Sequence, residues 1–215
     1  MHNIYRVVFG VILSITVASN SVAKSASAPS FNLDRAKACE AKLKASGSRF
    51  SLIQPIAGQG QCGSPRPLRL NLLNGNIRLT DKVILRCEAA LALTRWVADV
   101  VVPSAKLHLG AKPAHLNIAT TYKCRRRNNS SRGRLSEHAY ANGIDLMGID
   151  FKGTKPMKIQ AYNGNAGGLK SFQAAIRGGA CAYFSTVIGP TTNAAHADHL
   201  HLDLAQRTNG YRVCK

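Results

Sequence analysis

The sequence predicts an α+β fold, in which a central antiparallel sheet has helices packed on it. Segments with helical spacing come mainly in the first half of the chain, and segments of strand character come mainly in the second half. These segments do not alternate in the regular order of a parallel βαβ sheet. The chain has 215 residues, of which 45% are hydrophobic, and this is enough for one domain with a core of its own.

The first 23 residues have the pattern of a secretory signal peptide. His2 and Arg6 precede an apolar run over residues 7–17, and small residues then lead to Ala23. The apolar run is short for a membrane span, and an uncleaved N-terminal anchor is the alternative. Cleavage after Ala23 would place the mature protein in the periplasm or outside the cell, with a flexible N-terminus over residues 24–32.

Residues 33–215 are predicted to form a single domain, whose N-terminal part, residues 33–110, is mainly helical. A helix is expected from Leu33, because the apolar residues there have helical spacing, and Gly47 is its expected stop. Residues 58–70 are rich in glycine and proline and predict a loop.

A hairpin and a second helix complete this N-terminal part. Residues 71–80 predict two short strands around the turn-forming pair Asn74-Gly75. Residues 87–102 are rich in alanine and leucine and predict the best helix of the chain, which Pro103 ends or bends. A further piece over residues 104–110 extends it.

The second part, residues 111–215, is predicted to form the sheet that holds the functional site. Alternating apolar residues predict its strands, and the segment PMKIQAY is expected to pair antiparallel with the strand before it, because the joining turn is short. One helix is expected here, closed by glycines. The predicted strands are 115–122, 143–151, 156–162, 183–189 and 199–205, and the helix is 169–177.

All six cysteines lie after the predicted cleavage point. An even number of cysteines in an exported protein favours disulfides throughout. Their wide spacing, without a CxxC pair, argues against a zinc ribbon, and the sequence does not choose among the ways of pairing them. The residues are Cys39, Cys62, Cys87, Cys124, Cys181 and Cys214.

The formal net charge of +19 indicates an anionic partner. For an exported protein the available polyanions are peptidoglycan, other wall polymers and lipid headgroups of the cell envelope, and nucleic acid is not expected as a partner. The charge is spread along the chain except in KCRRRNNSSRGR, residues 123–134, for which a solvated basic loop is the plain interpretation.

Four of the histidines lie in or directly beside two short segments, and these are His138, His196, His199 and His201. The first segment is SEHAYANGID, residues 136–145, in which His138 precedes Asp145 by seven positions. Asp145 lies between Ile144 and Leu146 and therefore faces away from their side of a strand. The pattern predicts an acid on the polar face of a sheet and a histidine delivered by the preceding loop.

The second segment, DHLHLDL, residues 198–204, alternates in the manner of a strand. Its period of two puts His199, His201 and Asp203 on one face and the leucines in the core. An HxH pair is a weak signal by itself, because polar faces of strands also carry histidines. A partner to a ligand and a solvated carboxylate are both open roles for Asp203.

Together the two segments can supply two imidazoles and a carboxylate to Zn²⁺ and leave a fourth position for water. Zinc would lower the pKa of that water to ~7 and polarise a carbonyl, and a nearby carboxylate or imidazole would take the proton. Ca²⁺ and Mg²⁺ fit poorly, because they favour more oxygen ligands.

These segments resemble motifs of known families. SEHAYANGID resembles the SxHxxGxAxD motif of the LAS metallopeptidases, which include D-Ala-D-Ala dipeptidases, murein endopeptidases and the hedgehog signalling domain. DHLHLD resembles their closing HxH element. Over about residues 35–215 the chain resembles the bacterial extensin-like C-terminal family, in blocks such as CGSPRPLRL, RLSEHAYANGIDL and AAHADHLHLDLA that occur in order.

The resemblance implies an α+β fold around a single catalytic Zn²⁺, with His138, Asp145 and His201 as its ligands. It implies Asp198 or His199 as the catalytic base, and the choice stays open. Asp198 is one methylene shorter than the glutamate of the dipeptidases, which favours a share for His199.

The resemblance also implies residues that bind the substrate. An arginine upstream of the first motif binds a substrate carboxylate in relatives, and Arg125 is the nearest match, with simple membership of the basic loop as the alternative. Ser136 is expected to position substrate or to brace His138. His196 is expected to contact substrate or support a ligand, with a plain surface position as the alternative.

The sequence departs from the first motif at two positions. Ala141 stands where the motif has Gly, and Gly143 stands where it has Ala. Neither change removes a ligand, and we expect Gly143 to loosen the start of the strand.

These observations predict a periplasmic zinc peptidase that hydrolyses peptide bonds in the stem peptides or cross-links of peptidoglycan. The alternative is a non-catalytic, zinc-containing module that binds the cell wall. A secreted nuclease using HxH would need a nuclease core that the sequence does not display, and a purely structural disulfide-linked protein would bind no metal. The choice between endopeptidase and carboxypeptidase, and the oligomeric state, stay open.

Overall fold

A computed structural model describes Met1, residues 31–164 and residues 166–215. The predicted signal peptide beyond Met1, and residues 24–30 of the predicted flexible N-terminus, lie outside the described residues. In the described part of the chain, no helix combines the length and the apolar character that a membrane crossing requires.

One large mixed sheet with helices packed against it organises the described chain, and this confirms the α+β class. The sheet has nine strands in the order β1-β4-β5-β6-β7-β10-β9-β11, and β8 pairs with β7. Neighbouring strands are antiparallel except for the parallel pairs β5–β6 and β9–β11, so the prediction of an antiparallel sheet is correct for most of its strand pairs but not for these two. Strands β2 and β3 lie outside this sheet and pair with each other. The strands of the described chain are β1 (Arg49–Leu52), β2 (Ile56–Ala57), β3 (Gly63–Ser64), β4 (Pro67–Leu73), β5 (Ile77–Arg86), β6 (Pro113–Thr120), β7 (Gly143–Phe151), β8 (Met157–Lys158), β9 (Thr186–Ile188), β10 (Leu200–Asp203) and β11 (Val213–Cys214).

The first helix, α1 (Leu33–Ala45), begins and ends as its sequence predicts. The side chain of Asn32 accepts a hydrogen bond from Arg35 N at 2.8 Å and so caps the free N–H groups of the first turn. Gly47 follows the last turn with φ of +77°, a left-handed conformation in which glycine carries no steric penalty.

The second predicted helix is continuous through Pro103. It consists of α2 (Cys87–Trp96), a π-helical turn (Val97–Val101) and α3 (Val102–Leu109). Val102 N donates to Val97 O across the π turn, so the proline, which has no N–H, enters at the start of α3 without breaking the helix.

The last helix, α4 (Gly168–Ala180), runs three residues beyond its predicted end at residue 177. Gly178 and Gly179 lie inside it, although glycines were expected to close it. A Cβ at Gly179 would lie 2.5 Å from Val100 Cγ1, so this glycine permits close helix packing and does not mark a helix end.

The structure differs from the prediction that residues 33–110 are mainly helical. Strands β1, β4 and β5 of this segment belong to the main sheet, and β4 begins inside the predicted loop 58–70. In β4 the buried Leu68 and Leu70 alternate with exposed Arg69, and Pro67 occupies the first position, where a strand tolerates proline. The hairpin around Asn74-Gly75 is confirmed, with longer strands than predicted.

The sheet register places a polar face opposite the core. In β10, Leu200 and Leu202 pair with Leu146 and Ile144 of β7, and all four side chains are fully buried in the core. The residues between them therefore point to the other face. The candidate functional site lies there, on the side of the sheet away from the apolar core.

All six cysteines form disulfides, which confirms that prediction and adds the pairing. The bonds are Cys39–Cys87, between α1 and α2, Cys62–Cys124, between the β2–β3 hairpin and the loop after β6, and Cys181–Cys214, between the end of α4 and β11. Disulfides of this number indicate an oxidising, extracytoplasmic environment.

Candidate metal centre

Three side chains predicted as metal ligands converge in the structure. His138 Nε2 lies 3.1 Å from Asp145 Oδ1 and 3.2 Å from His201 Nδ1, and His201 Nδ1 lies 2.9 Å from Asp145 Oδ1. The three atoms thus form a small triangle with nearly equal sides. Ligand atoms of one small cation, at bonds of about 2 Å in tetrahedral geometry, are about 3.3 Å apart, so the triangle has the size of a metal site.

The backbone pairing of two strands brings two of these residues together. Asp145 of β7 lies directly opposite His201 of β10 in the antiparallel register. Directly opposed residues share a face and are near neighbours. Two segments separated by more than fifty residues therefore meet at a fixed distance.

His138 comes from a short 3₁₀ turn, Glu137–Tyr140, just before β7. Its side chain is fully buried, and its Nδ1 lies 3.1 Å from the carbonyl oxygen of Thr121. A carbonyl only accepts, so Nδ1 carries the proton and Nε2 presents its lone pair to the cluster.

His201 is oriented in the same way by a carboxylate. Its Nε2 donates to Asp203 Oδ2 at 2.9 Å, and Asp203 Oδ1 accepts from Ala205 N at 2.9 Å. This leaves Nδ1 of His201 to face the cluster. Of the two open roles for Asp203, the structure supports that of partner to a ligand, a contact that fixes the tautomer of metal-binding histidines.

The cluster is built to hold positive charge. With both tautomers set by outer partners, two nitrogen lone pairs and a carboxylate oxygen face one another, and they repel unless a cation or a proton lies between them. Burial alone would raise the pKa of Asp145, but the two histidines outweigh it and lower that pKa. Burial alone would lower the pKa of His201, but Asp145 and Asp203 raise it to about 9. The residues present therefore fit a metal ion.

Of the two departures from the histidine motif, only the one at Gly143 has a structural reason. Ala141 has φ of +52°, a left-handed conformation that glycine adopts more easily. A Cβ at Gly143 would lie 3.0–3.1 Å from three atoms of the His138 ring. Gly143 therefore permits the His138 ring to pack against the start of β7. The sequence predicts that this glycine loosens the strand, whereas the structure indicates that it makes room for the ring.

His199 lies beside the cluster and Asp198 lies behind it. His199 Nε2 is 3.7 Å from Asp145 Oδ1, and His199 Nδ1 is 2.9 Å from Asp198 Oδ1. The Asp198 side chain is 72% exposed, whereas that of His199 is 16% exposed. The imidazole is thus placed at the cluster, and the carboxylate orients it from the solvent side.

The remaining predicted site residues line one cavity with the cluster. Its volume is about 400 Å³, and Arg125, Ser136 and His196 are in its wall. The ring centre of His196 is 5.1 Å from that of His199 and 5.9 Å from that of His201. Burial, and then its histidine neighbours, lower the pKa of His196 to about 4.

Several cavity residues were not found from the sequence. Glu137 lines the cavity beside His138, and burial raises its pKa above the ordinary value. Arg207 also lines it, and donates to Ser185 O and Thr186 Oγ1. Neither belongs to a periodic polar pattern, so the sequence offered no signal beyond the proximity of Glu137 to the histidine motif.

The fold and the cluster define a disulfide-linked α+β domain with a largely buried His-Asp-His group suited to a metal. A family profile described as Extensin-like protein C-terminus matches residues 37–215. The chain therefore belongs to the extensin-like protein C-terminus family, as the resemblance predicted. Comparisons with curated proteins and with solved structures gave no match.

Proposed function

We propose that this protein is a zinc-dependent peptidase of the periplasm that hydrolyses peptide bonds in peptidoglycan stem peptides or cross-links. The observation that carries the proposal is the convergence of His138, Asp145 and His201 with both tautomers fixed by outer partners. The resemblance of their two segments to the LAS metallopeptidase motifs supplies the reaction class.

Zinc is the metal that suits this donor set. Two imidazoles and one carboxylate, with a solvent-accessible cavity on the remaining side, match the three-ligand arrangement of catalytic zinc sites. When bound there, Zn²⁺ would supply a Lewis acid that activates water and polarises a carbonyl. The buried carbonyl of Thr121 orients the ring of His138, and the carboxylate of Asp203 orients the ring of His201, so that each presents a nitrogen lone pair to the metal position.

His199 is the better placed of the two proposed bases. Its Nδ1 donates to Asp198, so the lone pair of Nε2 points towards the cluster. A histidine oriented by a carboxylate is a common arrangement for a general base. Asp198 then acts through His199, and its largely exposed position is compatible with that role.

The wall of the cavity suits a peptide substrate with acidic groups. Arg125 and Arg127 supply cations, His196 supplies an imidazole ring, and Ser136 and Asn193 supply hydrogen-bonding groups. The overall charge of +19 would concentrate the enzyme on an anionic cell wall.

Metal analysis and digestion of muropeptides, run on the same samples, test the proposal. The wild type is expected to bind one zinc ion per chain and to release peptide products detectable by mass spectrometry. His138→Ala and His201→Ala are expected to lose both zinc and cleavage, and His199→Ala to keep zinc and lose most cleavage. A folded wild type that stays free of zinc at saturating zinc would refute the proposed metal site, whereas full zinc without any cleavage would favour a wall-binding module.

A further inference from the structure

An arginine-rich loop forms one rim of the cavity. We call residues 125–135 the arginine flap. It contains five arginines, Arg125, Arg126, Arg127, Arg132 and Arg134, and no acidic residue. Arg125 and Arg127 line the cavity, while Arg132 and Arg134 are exposed away from its wall.

The arginine flap is held in a defined shape, although its sequence reads as a solvated basic loop. Its two arms are joined by the bridge between Arg126 and Leu135 and by the hydrogen bond from Arg127 N to Arg134 O at 3.1 Å. The guanidinium of Arg126 also donates to Gly133 O across the arms. Asn128 and Asn129 adopt left-handed conformations at the turn, which asparagine tolerates well.

A disulfide fixes the base of the flap. Cys124 precedes it directly and is bonded to Cys62 in the β2–β3 hairpin. A cationic surface whose backbone is already ordered loses less entropy on binding than a mobile tail does. The arginines are also little neutralised within the described residues: Arg127 has a carboxylate oxygen, Glu137 Oε1, at 4.0 Å, and no such ion pair is formed by Arg125, Arg126, Arg132 or Arg134.

The position of the flap indicates what kind of anion it meets. Cationic side chains follow the flap from the cavity wall, where Arg127 lies, to the outer surface, where Arg132 and Arg134 lie. A ligand that contacts both must extend out of the cavity along the rim. A flat lipid surface cannot enter the cavity, but a linear polymer can.

We infer that the arginine flap is a docking surface for a polyanionic strand of the cell wall, whose carboxylates flank the bond that enters the cavity. This inference rests on the proposed function for the site and deepens it, because it makes the substrate a carboxylate-bearing polymer and not a short free peptide. The exposed arginines add affinity and faster association through charge, and both effects weaken as salt rises.

Binding to purified cell-wall sacculi tests the inference without relying on turnover. Full-length mature protein is co-sedimented with sacculi in the cold at low and high salt. The flap variant Arg132→Gln/Arg134→Gln is compared with the control Arg69→Gln/Arg78→Gln, which removes the same charge from exposed positions of β4 and β5. We expect binding about five- to tenfold weaker for the flap variant at low salt, and little change for the control.

Two chemical treatments of the sacculi identify the anion. Amidation of the carboxylates is expected to reduce wild-type binding to the level of the flap variant, and removal of phosphodiester polymers is expected to leave it unchanged. Two results would overturn the inference. One is equal weakening of binding in both double variants. The other is wild-type binding that is lost when the phosphodiester polymers are removed and is kept after the carboxylates are amidated. Because neither readout needs peptide cleavage, a failed docking surface and a failed peptidase assignment give different results.

Discussion

At the scale of single residues, the position of the His138 ring depends on the absence of a side chain at Gly143. Its imidazole packs against Gly143, where a Cβ would approach three ring atoms to 3.0–3.1 Å. Contacts this short force the ring to move by a few tenths of an ångström. Thr121 and Asp145 hold the two ring nitrogens, so such a movement disturbs the tautomer-fixing bond and the ligand position together.

Gly143→Ala is therefore expected to weaken zinc binding by about ten- to a hundredfold, the range found when partners that orient metal ligands are lost. Competition with a chromophoric chelator measures the affinity. Gly178→Ala is the matched control, because a Cβ there meets no atom within 4 Å and lies in α4 away from the site. If Gly143→Ala bound zinc as tightly as the control, close packing at Gly143 would not position His138.

At the scale of elements, one arginine holds the loop that carries two of the site histidines. Arg177 of α4 donates to Pro190 O at 2.9 Å, to Thr192 Oγ1 at 3.1 Å and to Lys215 O at 3.0 Å. Residues 189–199 leave β9 at this point and lead to His196 and His199. The guanidinium thus ties the start of that loop to Lys215, the residue after β11.

Arg177→Gln is expected to lower kcat by about tenfold or more while zinc content stays unchanged, because the ligands come from other elements and His199 loses its fixed position. Steady-state kinetics on a purified muropeptide and metal analysis give the two quantities. Arg212→Gln is the control, since Arg212 also donates to backbone carbonyls, those of Cys181 and Phe184, but does not contact the loop. A loss of zinc equal to the loss of rate would show that Arg177 supports the whole site and not the loop.

Elements with strong local signals could be predicted from the sequence. Strand β7 was predicted at both ends, because its alternation is long and begins at a glycine. The strands β1, β2, β3 and β11 were missed, since each is four residues or shorter, and β1 and β11 are each defined by a partner that is not the neighbouring strand in the chain. Pairing of this kind is set by the packed fold and leaves little trace in a local pattern.

The same division applies to the site. The spacing of two short segments indicated a site made of histidines and a carboxylate, and the resemblance to the LAS motifs implied that His138, Asp145 and His201 are its ligands. The Thr121 carbonyl could not, since a backbone group has no signature in the sequence, and the roles of Glu137 and Arg207 depend on contacts across the fold. The disulfide pairing likewise depends on which elements pack together.

At the scale of the whole molecule, the disulfides brace different sides of the sheet. Cys39–Cys87 joins two helices on the core side, across 48 residues of chain. Cys62–Cys124 lies on the side of the metal centre, across 62 residues, and Cys124 follows Thr121 by three positions. Loop-closure entropy gives both bonds a similar stabilisation, of about 4 kcal/mol each.

The two disulfides contribute a similar stabilisation but lie in different places, so we expect their removal to affect the metal centre differently. Cys39→Ala/Cys87→Ala and Cys62→Ala/Cys124→Ala are both expected to lower the free energy of unfolding by about 4 kcal/mol, measured by guanidinium unfolding of the zinc-free proteins. Only the second variant is expected to lose zinc affinity, because the Thr121 carbonyl that orients His138 and the base of the arginine flap are both released. Isothermal titration with zinc under conditions where both variants stay folded measures this. Equal zinc affinity in the two variants would mean that the sheet alone holds Thr121 in place and that Cys62–Cys124 contributes only to stability.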